Sequence, residues 1–97
     1  MKWPFNDPPN VAVFTTKQIV AGKDWIQYVS HDEDDGAWQF QPAGGSEVKE
    51  ASIVGLEEMT KIDPTIIPLA DLPIGWCASR TGPNGEWLRK KKQRVFT

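Results

Sequence analysis

The chain has 97 residues, 39% hydrophobic and 25% charged, with five Trp, four Phe and one Tyr. That length fits one domain, and the near-average composition excludes wholesale disorder. The net charge of −2 is unevenly spread: residues 1–85 carry six Lys/Arg against twelve Asp/Glu, residues 86–97 five against one.

Residues 1–10 contain Pro4, Pro8 and Pro9, so they cannot form a helix and are predicted to run extended over the surface. Residues 11–15 form a compact β-favouring run. Thr16 is placed to cap a single helical turn that Gly22 ends. Residues 25–29, rich in aromatic and β-branched side chains, and residues 37–41, alternating apolar and polar, read as strands. The alternation puts Trp38 and Phe40 on one face and Gln39 on the other. The acidic run His31, Asp32, Glu33, Asp34, Asp35 and Gly36 joins them as a hairpin, and residues 42–46 break the sheet. A short strand is expected at residues 52–54.

Residues 56–63 give the best helix. Leu56, Met59 and Ile62 approximate one apolar stripe, Glu57 and Glu58 suit the positive end, Lys61 the negative end, and Pro64 stops it. Residues 64–73 hold three prolines and predict an ordered but irregular connection. Residues 74–79 read as a strand, Asn84-Gly85 as a hairpin turn, and Trp87-Leu88 as the start of a last strand that runs into the basic tail.

The ordered landmarks Asp35-Gly36-Ala37-Trp38-Gln39-Phe40, Gly45-Ser46-Glu47, Ile62-Asp63-Pro64-Thr65-Ile66 and Leu72-Pro73-Ile74-Gly75 resemble those of a bacterial family of small α+β domains of unknown function. Some of its members are predicted immunity proteins of polymorphic toxin systems. The resemblance spans roughly residues 11–88, with Ala37 where a glycine is expected. It implies an α+β fold and a protein partner, and brings no enzymatic activity with it.

The chemistry-bearing residues are few. One cysteine, Cys77, excludes an internal disulfide, and with the single histidine, His31, falls short of the four ligands of a structural zinc site. A Cys77–His31 dyad is conceivable, but an apolar strand around Cys77 favours a buried, inert thiol. With Gly36 as sixth residue of a calcium loop, the first position would be His31 and the twelfth Pro42, so that pattern fails. No phosphate-binding glycine loop and no Gly-x-Ser-x-Gly elbow exists.

Trp25, Trp38, Phe40 and Trp76 are predicted to be core, and Trp3 and Trp87 to cover an edge or meet a partner. No apolar stretch approaches the ~20 residues of a membrane-spanning helix. Without a signal-like apolar run at the start, a cytoplasmic location is expected.

The sequence therefore predicts a single α+β domain: an antiparallel sheet of about five or six strands with one short helix packed on one face. Residues 1–10 are its extended start, 11–88 its globular body and 89–97 its basic tail. Its expected role is that of a non-catalytic protein-interaction domain, immunity-like, without cofactor or metal. It would bind a protein partner through Asp32, Glu33, Asp34 and Asp35. The alternative is a nucleic-acid-associated protein using Arg89, Lys90, Lys91, Lys92 and Arg94, with no basic face on the acidic body to extend the footprint. A small enzyme would require carboxylates such as Asp35 and Glu47 to converge in a pocket.

Overall fold

In the computed structural model, which describes residues 2–92, six strands make one sheet. They are β1 (Ala12–Thr16), β2 (Tyr28–His31), β3 (Trp38–Gln41), β4 (Ala51–Gly55), β5 (Trp76–Ser79) and β6 (Leu88–Lys91), in the order β4-β1-β3-β2-β5-β6. Every pairing is antiparallel except β1 with β3, which run parallel with Phe14 opposite Gln39. The expected antiparallel sheet thus contains one parallel pair. It arises because β2 pairs on the far side of β3, leaving β3's other edge to β1.

Two helices, α1 (Lys17–Val20) and α2 (Leu56–Ile62), cover one face at the β1–β4 end. Thr16 caps α1 by accepting from the Ile19 amide, as its position predicts. Leu56 and Met59 are fully buried and Ile62 half-buried, so the predicted stripe faces inward. Their neighbours in the core include Val13, Ile26, Val29, Trp38, Phe40 and Ile66.

Further expectations change. The N-terminal segment is part of the core: Phe5 is 6% exposed, packs edge-on against Trp38, and lies beside Trp3. Asp7 completes this arrangement, its carboxylate accepting from Trp38 Nε1 and its carbonyl from Trp3 Nε1. The Pro9 carbonyl then accepts from Glu57, serving one of the amides left unpaired at the start of α2.

Residues 25–27 are not strand. Arg80 Nε takes the Ile26 carbonyl and the Arg80 amide donates to the Gln27 carbonyl, so the ladder starts only at Tyr28. Trp25 is consequently half-buried, with its ring 5.9 Å from the Arg80 guanidinium, and Trp76 is half-buried too. Residues 64–69 are a 3-10 helix rather than irregular chain, capped by Asp63.

The β5–β6 hairpin turns at Pro83-Asn84, closed by a Gly85 amide to Gly82 carbonyl bond. Asn84 keeps a negative φ, so the turn differs from the one that Asn-Gly favours. No helix among the described residues is long and apolar enough to cross a membrane.

Candidate functional site: the acidic hairpin and the uncovered sheet face

The sheet register carries one row of side chains across all six strands on the face away from the helices. It runs Ile53, Phe14, Gln39, Ser30, Cys77, Lys90. Alternation puts Tyr28, Asp32 and Gln41 on this face as well and sends Trp38, Phe40, Val29 and His31 to the core. Trp38 and Phe40 are 2% and 1% exposed, as period two predicts.

The same register separates Cys77 from His31. Cys77 pairs with Ser30, the residue before His31, so thiol and imidazole lie on opposite faces of the sheet and form no dyad. His31 serves packing instead. Its ring stacks on Trp38 at 3.9 Å, and Nδ1 sits 2.8 Å from the Leu72 carbonyl, an acceptor that requires a proton on Nδ1. Cys77 is buried beside Tyr28, whose hydroxyl is pushed up to about 12 by burial, by its hydrogen bond with Cys77 and by the nearby charges of Cys77 and Asp32.

At the end of this face the β2–β3 hairpin closes. The Asp32 amide donates to the Ala37 carbonyl and the Gly36 amide to the Asp32 carbonyl. Gly36 has φ +72, a left-handed conformation that costs an L-residue roughly 1–2 kcal/mol. Asp35 Oδ1 accepts from the Ala37 amide. The Gly75 amide, from the Leu72–Gly75 landmark, donates to the His31 carbonyl at 2.7 Å. The turn is thus hydrogen-bonded both internally and from outside.

The four acidic residues divide into two roles. Asp32 turns back over the sheet: Oδ1 accepts from Ser30 Oγ and lies 3.7 Å from Lys92 Nζ, and Oδ2 accepts from Gln39 Nε2 at 2.7 Å. Gln41 donates to Gln39, and Ser46 donates to Gln41, extending a polar ladder along the open face. Glu33, Asp34 and Asp35 stay exposed at the tip. Two shallow depressions flank Asp32, Asp35 and Gln39. One of about 360 Å3 runs to Gly75 and Lys92, the other of about 380 Å3 to Phe14, Glu47 and Val48. Phe14 is 39% and Val48 93% exposed, so apolar surface lies next to the carboxylates.

The basic residues do not form one surface. Arg89 reaches Asp71 and the Pro68 carbonyl, holding the Asp71 carboxyl below its usual range. Lys90 shares the open face with Cys77, alternation turns Lys91 the other way, and Lys92 meets Asp32. Pairing into β6 therefore splits the cations between both faces. Arg94 lies outside the described residues.

Asp35 and Glu47 line one depression, yet both are exposed, so they make no buried carboxylate pair. Among the described residues no group of three or more His, Cys, Asp or Glu is placed to hold a metal ion.

Sequence reasoning missed Arg80. Its side chain is 1% exposed and donates from Nε to the Ile26 carbonyl, from Nη1 to Thr65 Oγ1 and from Nη2 to Asp63. The Trp87 ring covers the guanidinium at 4.2 Å. The Asp63-Pro64-Thr65 landmark thus has a structural role. Asp63 and Thr65 could be read as a cap, but nothing local points to a cation 15 residues on.

No protein-family model, curated protein or solved structure matches the chain.

Proposed function

We propose that this protein is a non-catalytic binding domain whose partner is a protein presenting a basic surface to Glu33, Asp34 and Asp35. The observation that carries the reading is the hairpin tip: three exposed carboxylates on a turn held by bonds from Ala37, Gly36 and Gly75. A pre-ordered tip loses little conformational freedom on binding, which favours affinity. The adjoining surface supports the same reading, since exposed Phe14 and Val48 beside polar Gln39 and Gln41 match the apolar centre and polar rim of protein interfaces. An immunity-like role, as the sequence landmarks suggest, is one form of this activity. Nucleic acid is the weaker partner, because the strand alternation divides the cations of β6.

The test is capture from the native host with the chain and with a variant carrying Glu33→Gln, Asp34→Asn and Asp35→Asn. The proposal expects a basic protein that binds the chain directly once purified, with affinity falling at least about tenfold in the variant and with rising salt. Equal binding by both chains, or binding insensitive to salt, would refute it.

A further inference from the structure

The two edges of the sheet are built differently. On β6 the edge residues Arg89, Lys90 and Lys91 are all cationic, a common protection against edge-to-edge pairing. On β4 the run Ala51, Ser52, Ile53, Val54, Gly55 contains no charge and no proline. Among the described residues no strand pairs with its outer edge.

The free groups can be assigned from the ladder. The Leu56 amide donates to the Val11 carbonyl, and antiparallel bonding alternates, so Val54 and Ser52 face β1. Ala51, Ile53 and Gly55 therefore point outward. The Ala51 amide is already bonded to the Val48 carbonyl, and the Gly55 carbonyl, at the N-cap of α2, accepts the first helical bond. Four outward groups take part in neither: both backbone groups of Ile53, the Ala51 carbonyl and the Gly55 amide.

This set is self-complementary. A two-fold axis at Ile53 sets Ile53 against Ile53 of a second copy and Ala51 against Gly55. The two Ile53 residues exchange two bonds, and each Gly55 amide meets the other Ala51 carbonyl. The two groups already used, the Ala51 amide and the Gly55 carbonyl, would have been each other's partners. The side chains agree: Ile53 is 62% exposed on the open face beside Phe14, so the pairing places two exposed isoleucines side by side, flanked by two phenylalanines.

We propose that the β4 edge is a dimerisation surface, on which a second copy of this chain pairs antiparallel about Ile53 to make one continuous twelve-stranded sheet. Such an interface is isologous, as closed dimers require. It is separate from the acidic hairpin, and the two respond oppositely to salt. Glu47, Lys49 and Glu50 precede β4, and Glu57 and Glu58 follow it. Lys49 is paired with Glu47, so the antiparallel pairing leaves Glu50 of one copy towards Glu57 and Glu58 of the other, an excess of carboxylates at each end. Salt screens that repulsion and strengthens the dimer, whereas it weakens binding of a basic partner.

Sedimentation velocity from about 1 μM to about 1 mM, the range of weak pairings, tests this on the full chain. The expected result is a concentration-dependent shift from 10.9 kDa towards twice that mass, more complete at high salt. Ile53→Pro removes the outward amide while sparing the bonds to β1, and Ile53→Lys reproduces the guard seen on β6. Both should stay monomeric over the whole range, and if one fails to fold the other decides. A wild-type chain monomeric at the highest concentration, or dimers persisting in every folded variant, overturns the proposal. A strand from another protein is the occupant that the first of these results would leave.

Discussion

Replacing Arg80 by Met tests the buried bond network most severely. The substitution keeps much of the side-chain volume but deletes all three donor groups of a residue 2% exposed. It strands the Ile26 carbonyl, fully inside, and leaves the Asp63 carboxylate, 20% exposed, without its ion pair. Removing one member of a buried ion pair costs about 3–5 kcal/mol, and an unsatisfied buried carbonyl alone costs about 1–3 kcal/mol. These overlap, because the first already contains the stranded partner, so about 3–5 kcal/mol is the expected loss. Against a total stability of about 5–15 kcal/mol this is a large fraction. In a domain of this length each kcal/mol lowers Tm by about 4–8 °C, giving a fall of roughly 12–40 °C. Urea unfolding followed by tryptophan fluorescence and circular dichroism reads it directly. Arg80→Lys should recover only part, because an ammonium cannot serve three acceptors in one plane or stack on Trp87 as well. A variant within about 1 kcal/mol of wild type would refute the reasoning, since it falls below the cost of the stranded groups.

Trp38→Ala should cost about 3–5 kcal/mol in the same assay, because it empties the space between Phe5, His31 and Phe40; a loss under 1 kcal/mol would place Trp38 outside the core. Tyr28 is the sole tyrosine, so tyrosinate absorbance titrates it alone. Its midpoint should lie near 12 in the folded chain and near 10 in denaturant. A raised folded value means that the stability it contributes is full below pH 10 and is lost as pH climbs towards 12, and Tyr28→Phe should flatten that part of the profile. A strong chelator should leave Tm unchanged; a drop of many degrees would reveal a structural metal.

What the sequence showed was local. Period two at Trp38 and Phe40, the Thr16 cap and the Leu56–Met59–Ile62 stripe each depend on neighbours a few residues away, and each appears in the structure. The features it hid depend on distant partners. Arg80 binds a carbonyl 54 residues earlier, and Phe5 docks on Trp38, so neither a lone arginine nor a proline-rich start announces its burial. The parallel pairing of β1 with β3 is hidden for the same reason, since it follows from β2 taking the other edge.

Within the candidate site the acidic run was legible as a hairpin tip, but its division was not. Asp32 follows Ser30 by two residues and so shares its face of the sheet, which turns its carboxylate towards Gln39 and Lys92. Its three neighbours continue the turn and are exposed. Along β6, alternation sends Arg89 and Lys91 to one face and Lys90 to the other, which limits their mutual repulsion within the ladder. Arg89 gains Asp71 and Lys92 gains Asp32, which offsets that repulsion.

Carboxylate footprinting of the chain, free and in complex with the partner captured from its host, tests the central claim most directly. Glu33, Asp34 and Asp35 are exposed in the free chain and should label readily, then lose most of their labelling in the complex. Glu57 and Glu58, on the helix face, should label equally in both states. Protection confined to the helix face, with the hairpin carboxylates still reactive, would contradict the account.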